Sequence, residues 1–303
     1  MFQSHFGEFA ALLTAFFWTV TSLSFEAAGK RIGSLSVNLI RLYLAFIIYS
    51  VYLYFARGMF FPTDATSFAW LWLSISGLVG FAIGDLLLFQ AFVVVGARIS
   101  MLMMSLVPPI TALLGWMILG ETLSMQSMAG MMITITGIVL VVFKREKPQA
   151  NSNKKIKFSY PVIGILLAFG GAVGQAVGLV LSKYGMKDYD AFAASQIRVM
   201  AGLVGFTIIF IFMRRWDKLK SGIRNRKGMQ LVILGSIFGP FLGVSFSLLA
   251  VQNTSTGVAA TIMAIVPVLI IPPAIIIFKE KINIREVIGS ILAVAGVALL
   301  FLE

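Results

Sequence analysis

Long apolar runs alternate with short charged or turn-rich breaks along the whole of this chain. The runs lie near residues 8 to 28, 35 to 56, 68 to 93, 98 to 119, 125 to 143, 160 to 182, 190 to 213, 229 to 251, 258 to 278 and 284 to 302. They approach the roughly 20 residues an α-helix needs to cross a hydrocarbon core, without the short alternating segments of a barrel. The pattern predicts an all-α integral membrane protein with ten transmembrane helices. Composition agrees: of 303 residues 59% are hydrophobic and 12% charged, with mean hydropathy +0.97, too few polar side chains to clothe a soluble globule. The first run has no basic leader and further spans follow it, so it reads as a retained helix rather than a signal peptide.

Cysteine is absent and His5 is the one histidine. Thiol redox chemistry, a Cys/His metal centre and a Ser/His/Asp triad are therefore poorly supplied, and no cofactor or metal is expected. No GxxxxGK[ST] loop occurs, so any work must draw on gradients rather than on ATP bound by this chain. The net charge of +12 reflects where the chain crosses a membrane, not nucleic acid. With ten spans, both termini and the even-numbered loops share a side that holds only Arg57, Lys183 and Lys187. The odd-numbered loops hold nineteen Lys and Arg, among them Lys30, Arg98 and the cluster from Arg214 to Lys227. By the positive-inside rule both termini face outward, as in a multi-pass protein of a bacterial-type inner membrane. The segment KREKPQANSNKKIKFSY, from Lys144 to Tyr160, has the bias of a solvated linker. It sets a basic cytoplasmic linker at 144–159 between a first unit, 1–143, and a second, 160–303.

The two units repeat each other. Val107 to Glu121 reads VPPITALLGWMILGE and Val266 to Glu280 reads VPVLIIPPAIIIFKE, so a shift of 159 residues lays Pro108 on Pro267 and Glu121 on Glu280. Gly80 then falls on Gly239, Gly84 on Gly243, Gly130 on Gly289 and Gly137 on Gly296, while IRLYLAF around Arg41 answers IRVMAG around Arg198 at an offset of 157. Five is odd, so the second copy enters the membrane from the opposite face. Inverted repeats of this kind are a signature of alternating access, although channels and membrane enzymes are also duplicated.

Ten spans in two halves, the Ile-Arg of each second helix, the mid-helix Val-Pro and the Gly-Glu or Lys-Glu closing each fourth helix resemble the EamA branch of the drug/metabolite transporter superfamily. The resemblance implies a secondary carrier of small metabolites, often an exporter of amino acids, with a cavity lined by the first, third and fourth helices of each half. Its partners are then a small-molecule substrate and the lipid bilayer, and a monomer suffices. Multidrug efflux and metabolite uptake keep the same fold. A lipid flippase or membrane-embedded enzyme calls for a dense polar cluster at one interface, and a channel for a polar ring.

Charges inside spans carry the chemistry, because an ionisable group there is costly and faces a cavity or a partner. Glu26, Arg41, Asp85 and Arg198 qualify. Arg41 can pair with either acid, and Asp85, if unpaired, could carry a proton, which would make transport proton-coupled. At the positions of Glu26 and Asp85 the second half has Leu179 and Val244, so Arg198 lacks an acidic twin; helix-end carbonyls, Asp188, Asp190 or the opposite half can satisfy it, whereas an exposed Arg198 suits a substrate carboxylate. Gln90, Gln175 and Trp18 offer neutral contacts. Pro108 and Pro267, lacking an N–H, free the carbonyls of Met104 and Met263 and are hinge candidates. Glu121 and Glu280 stand three residues before the N-cap candidates Ser124 and Asn283, and read as structural anchors or gates.

Overall fold

The computed structural model describes residues 5–119, 124–145, 156–253, 259, 262–279 and 282–301. Helix α1 (Phe6–Ile32) ends at Gly33, whose φ of 85° favours a residue with no Cβ, and α2 (Ser34–Arg57) starts at the next residue. The Thr66 hydroxyl caps α3 (Ser67–Gly77) by accepting from the Ala69 N–H. From there α3 runs without a break into a seven-residue π-helical stretch, π1 (Leu78–Gly84), and on into α4 (Asp85–Met104). Gly96, at φ 84° and ψ 161°, interrupts α4, and a turn at 105–106 separates it from α5 (Val107–Leu119). Helix α6 (Met125–Val142) completes the first half.

Strands β1 (Phe143–Arg145) and β2 (Ile156–Phe158) then pair antiparallel, with Phe143 opposite Phe158. This ribbon is a departure from the expected all-α chain. It pairs Phe-Lys-Arg with Ile-Lys-Phe at the two ends of the polar segment, whose residues 146–155 lie outside those described. The second half holds α7 (Val162–Met186), α8 (Ala191–Met213), a short α9 (Trp216–Arg224), α10 (Arg226–Ser236), π2 (Ile237–Gly243), α11 (Val244–Asn253), α12 (Val266–Leu269), α13 (Ile271–Phe278) and α14 (Ile284–Phe301).

Repetition extends to backbone irregularities that side-chain patterns do not announce. Leu78 to Ile237 and Gly84 to Gly243 are both 159 residues apart, so the two π stretches coincide under the shift that aligns the sequences. The turn at 105–106 has its counterpart at 264–265, and Val107 and Val266 each restart a helix after it. Pro108 and Pro267 therefore stand at the second position of a new segment, where a missing N–H costs no internal bond. The fourth helix of each half is broken two residues before its proline rather than bent through it. A further turn at Ile270 precedes Pro272 and Pro273 in the second half alone.

Among the described residues six helices are long and apolar enough to cross a bilayer: Phe6–Ile32, Ser34–Arg57, Ser67–Met104, Val162–Met186, Ala191–Met213 and Arg226–Asn253. Met128–Val142 and Val266–Ile277 are shorter apolar helices. The breaks explain why the runs expected at 98–119 and 258–278 do not appear as single long helices. Large apolar side chains line the outside, with Phe55 82%, Phe212 81% and Ile276 75% exposed, as suits a hydrocarbon solvent and not water.

The first helix of each half packs on the π stretch of the other: α1 lies against α10, π2 and α11, and α7 against α3, π1 and α4. Helices α6 and α14 close the opposite flank. There a Cβ on Gly137 would meet the Gly289 carbonyl oxygen at 2.6 Å, and one on Gly296 would meet that of Gly130 at 2.7 Å. The 159-residue shift turns the first of these contacts into the second. The halves are thus related by a pseudo-two-fold that passes between α6 and α14.

Candidate functional site

A π-helical turn is wider than an α-turn, its carbonyls bonding the N–H five residues on, as the Gly80 carbonyl does with Asp85. At π1 the amide of Gln175 on α7 donates to the Gly80 carbonyl at 3.3 Å. At π2 the Tyr49 hydroxyl lies 2.7 Å from the Pro240 carbonyl, 3.2 Å from that of Phe241 and 2.7 Å from Ser245 Oγ. Each π stretch is thus also bound by a polar side chain from a neighbouring helix.

Around π1 the intramembrane charges converge. Arg41 Nη2 pairs with Asp85 Oδ2, and both side chains are buried. Arg41 Nε donates to Asn38 Oδ1 at 2.9 Å, and its guanidinium lies 4.5 Å from the Phe89 ring centre. The other Asp85 oxygen accepts from Gln175 Nε2 at 2.7 Å, and Asn38 Nδ2 donates to the Asp85 carbonyl at 3.1 Å. Both carboxylate oxygens are thus engaged, and Arg41 takes Asp85 rather than Glu26.

Arg198 reaches the same place from the second half. Its Nε donates to Ser76 Oγ at 3.0 Å, and its guanidinium lies 4.6 Å from the Phe81 ring centre. Arg41 stands 5.9 Å from that ring, so the repeat-related arginines flank one phenylalanine of π1. Arg198 is only 4% exposed, and no carboxylate pairs with it among the described residues. Asp190 is otherwise occupied, capping α8 through the Ala193 N–H at 2.8 Å. Two buried arginines against one buried aspartate leave one positive charge over, which a ring face offsets by about 0.5–2 kcal/mol, less than burial of an unpaired charge costs.

The remaining candidates sit elsewhere. Glu26 accepts from Lys30 and, at 2.8 Å, from the Ala97 N–H, so it caps the segment that restarts after Gly96. Gln90 is exposed and bound by the Ser34 hydroxyl at 2.5 Å. Trp18 is half-buried against Gly243 at the end of π2. Pro108 and Pro267 flank the helix-four turns, and the Ser105 and Thr111 hydroxyls beside Pro108 are buried without a partner among the described residues. Glu121 and Glu280 lie outside the described residues.

Each end of the bundle carries a polar cluster that ties the halves together. At one end Asp64 accepts from Arg57 at 2.5 Å and from the Tyr189 hydroxyl at 2.8 Å, while Gln252 donates to the Tyr189 carbonyl at 3.0 Å. Burial pushes the Asp64 carboxyl up, but the Tyr189 hydroxyl and the Arg57 guanidinium together hold it below its ordinary value. Burial, with the Asp64 charge, pushes the Tyr189 hydroxyl up to about 12 against the pull of Arg57. At the basic end Arg98 pairs with Glu286, which also accepts from the Tyr160 hydroxyl at 2.9 Å. A cavity of about 360 Å³ opens there, lined by Glu26, Lys30, Val94, Gly96, Arg98 and Tyr160.

Sequence reasoning missed Asn38, Ser76, Phe81 and Tyr49. Asn38 and Ser76 had a signal, being polar within apolar runs, and Asn38 precedes Arg41 by about one helical turn. Phe81 and Tyr49 had none, because nothing in the sequence marked the π stretches they serve.

Comparison with known proteins gives a match to the family model described as the EamA-like transporter family over residues 5–143 and again over 162–302. A protein of known crystal structure aligns with 97% of this chain and 95% of its own at a TM-score of 0.61 and 18% identity. At that identity the likeness shows a shared fold.

Proposed function

The chain belongs to the EamA-like transporter family and is a multi-pass membrane transporter, and from that premise we propose that it is a secondary-active carrier that exports a small organic metabolite such as an amino acid by alternating access. The observation that carries the substrate reading is Arg198: a buried guanidinium without a carboxylate, beside a ring face and a serine hydroxyl. A substrate carboxylate there takes two charge-assisted hydrogen bonds and cancels the surplus charge. Arg41 and Asp85 are the scaffold of that site, with Gln175 bracing π1.

Ten crossings complete the architecture. In addition to the six long helices, the third of which we end at Gly96, we assign spans to residues 97–119, 125–142, 262–278 and 284–301; the 18 residues of α14 measure about 27 Å. Units 1–143 and 160–303, joined by the linker 144–159, then lie inverted. Both termini face outward and the basic loops face the cytoplasm of a bacterial-type inner membrane. Under this orientation the Arg57–Asp64–Tyr189 cluster is the outer latch and Arg98–Glu286–Tyr160 the inner one, and each must open in turn.

Counterflow in proteoliposomes tests the proposal. Saturable exchange of amino acids is expected, and Arg198→Gln should raise the half-saturating concentration of a carboxylate solute while sparing the fold. An absence of saturable exchange for amino acids, or Arg198→Gln behaving as wild type, refutes it.

A further inference from the structure

Seven Lys and Arg side chains lie between residues 214 and 227, all exposed, with Asp217 the one acid among them. Helix α9 sits within this stretch at the basic end of the bundle. Leu219 packs into the core, and Gly222 is buried against Ile32 at the end of α1. Leu219 and Gly222 therefore fix which side of α9 faces the protein.

The rest of the helix follows from about 100° per residue. Trp216 and Ile223 fall beside Leu219 on the wheel, yet they are 42% and 53% exposed. Next to them come Lys220 and Arg224, one turn apart, whereas Lys218 lies about half a turn away. One flank of α9 thus presents two part-exposed apolar side chains bordered by two cations, with Asp217 beside Arg224 at its far edge. That flank is level with the end of α8, where the Trp216 ring meets Phe210 edge-on at 5.0 Å and Phe212 points outward, 81% exposed. An indole at the end of a spanning helix, with cations beside it, matches the headgroup layer of a bilayer, where an amphipathic helix lies flat.

We propose that this flank of α9 is a binding surface for an anionic phospholipid: Trp216 and Ile223 enter the acyl boundary while Lys220 and Arg224 hold the headgroup phosphate. Charge complementarity selects the occupant, because a zwitterionic headgroup cancels its own phosphate and an acidic soluble partner gives the exposed indole nothing to enter. The remaining basic side chains, Lys218 included, face solvent.

Native mass spectrometry of the full chain in neutral detergent, titrated with phosphatidylglycerol or with phosphatidylcholine of the same acyl chains, reads the effect. Wild type should retain phosphatidylglycerol about tenfold better. Lys220→Gln with Arg224→Gln should abolish the preference, and Lys218→Gln should leave it intact. Neutralising Lys154 and Lys155 in the linker should also leave it intact. Lys218, Lys220 and Arg224 are exposed on α9, so melting temperatures of their variants should stay at the wild-type value and report an intact fold. Should the double variant fail to fold, Lys220→Gln and Arg224→Gln taken singly must each lower the preference. Equal retention of the two lipids by wild type overturns the proposal, as does loss of the preference in Lys218→Gln or in the linker variant to the same degree as in the double variant.

Discussion

Replacing Asp85 by leucine leaves Arg41 buried with only Asn38 and aromatic faces for partners, and replacing Arg41 by methionine leaves Asp85 with the Gln175 amide and the more distant charge of Arg198. In the parent both side chains are buried, at 4% and 6% exposure, so neither stranded charge can reach water without the helices moving. Each single substitution should cost about 3–5 kcal/mol of stability. The pair Arg41→Met with Asp85→Leu removes both charges together. It forfeits one hydrogen bond to the Asn38 oxygen and one from the Gln175 amide, about 1 kcal/mol each, while Asn38 keeps its bond to the backbone carbonyl of residue 85. The double variant should then be only about 2 kcal/mol less stable than the parent, with a coupling energy of at least about 4 kcal/mol. Unfolding titrations of the purified protein in mixed micelles measure all four corners of the cycle. Additivity to within about 0.5 kcal/mol refutes the claim that this is a tightly coupled buried pair.

Helix crossing at π1 gives a second test: a Cβ at Gly174 meets the Gly84 Cα at 2.7 Å, so Gly174→Ala should lower the melting temperature, whereas at Gly170 the obstacle is the movable end of Leu87 and Gly170→Ala should be mild. The outer latch should be insensitive to pH between about 5 and 9. The lowered Asp64 carboxyl contributes above the ordinary carboxylate range and fails only in stronger acid, and the raised Tyr189 hydroxyl contributes below its ordinary value near 10 and fails only as pH climbs toward about 12. Spin-label distances between the loops carrying Asp64 and Tyr189, followed across that range, check it; widening near pH 7 contradicts it. At the other mouth Glu286→Gln should loosen the contact with Arg98 and Tyr160. Because the chain has no cysteine, Val94→Cys in the lining of the inner cavity gives a clean probe, and its labelling by an impermeant maleimide should accelerate at least severalfold; an unchanged rate counts against a gating role.

The helical class, the duplication and the register of the repeat were legible because each leaves a mark in residue type: apolar length, glycine at close crossings, proline at helix restarts. The 159-residue shift found from Gly80, Gly84 and Pro108 is the shift that superposes π1 on π2 and the turn at 105–106 on that at 264–265. The π stretches themselves were not legible, because a wider turn is a backbone property that Leu78 to Gly84 and Ile237 to Gly243 permit but do not encode by pattern. For the same reason the convergence of Arg41, Asp85, Gln175 and Arg198 was visible as four candidates and not as one site. Glu26, expected to couple or to form an ion pair, pairs with Lys30 and also accepts from the Ala97 N–H that the break at Gly96 presents, a backbone partner that residue types did not announce.

That convergence is asymmetric on a symmetric scaffold, and the asymmetry is what makes it usable. Under the repeat, Phe81 corresponds to Pro240 and Asp85 to Val244, so π2 has no acid to pair an arginine and no ring at the position of Phe81. Arg198 accordingly reaches across to Ser76 and Phe81 of the first half, while in the mirrored position Arg41 stays with Asp85 of its own half and the carbonyls of π2 fall to Tyr49. Two equivalent arginines therefore meet at one end of the two-fold relation and leave the other end neutral. The alternating access proposed above needs halves that are mechanically equivalent, whereas the surplus charge sits in one place only, with the sign that the proposed carboxylate requires.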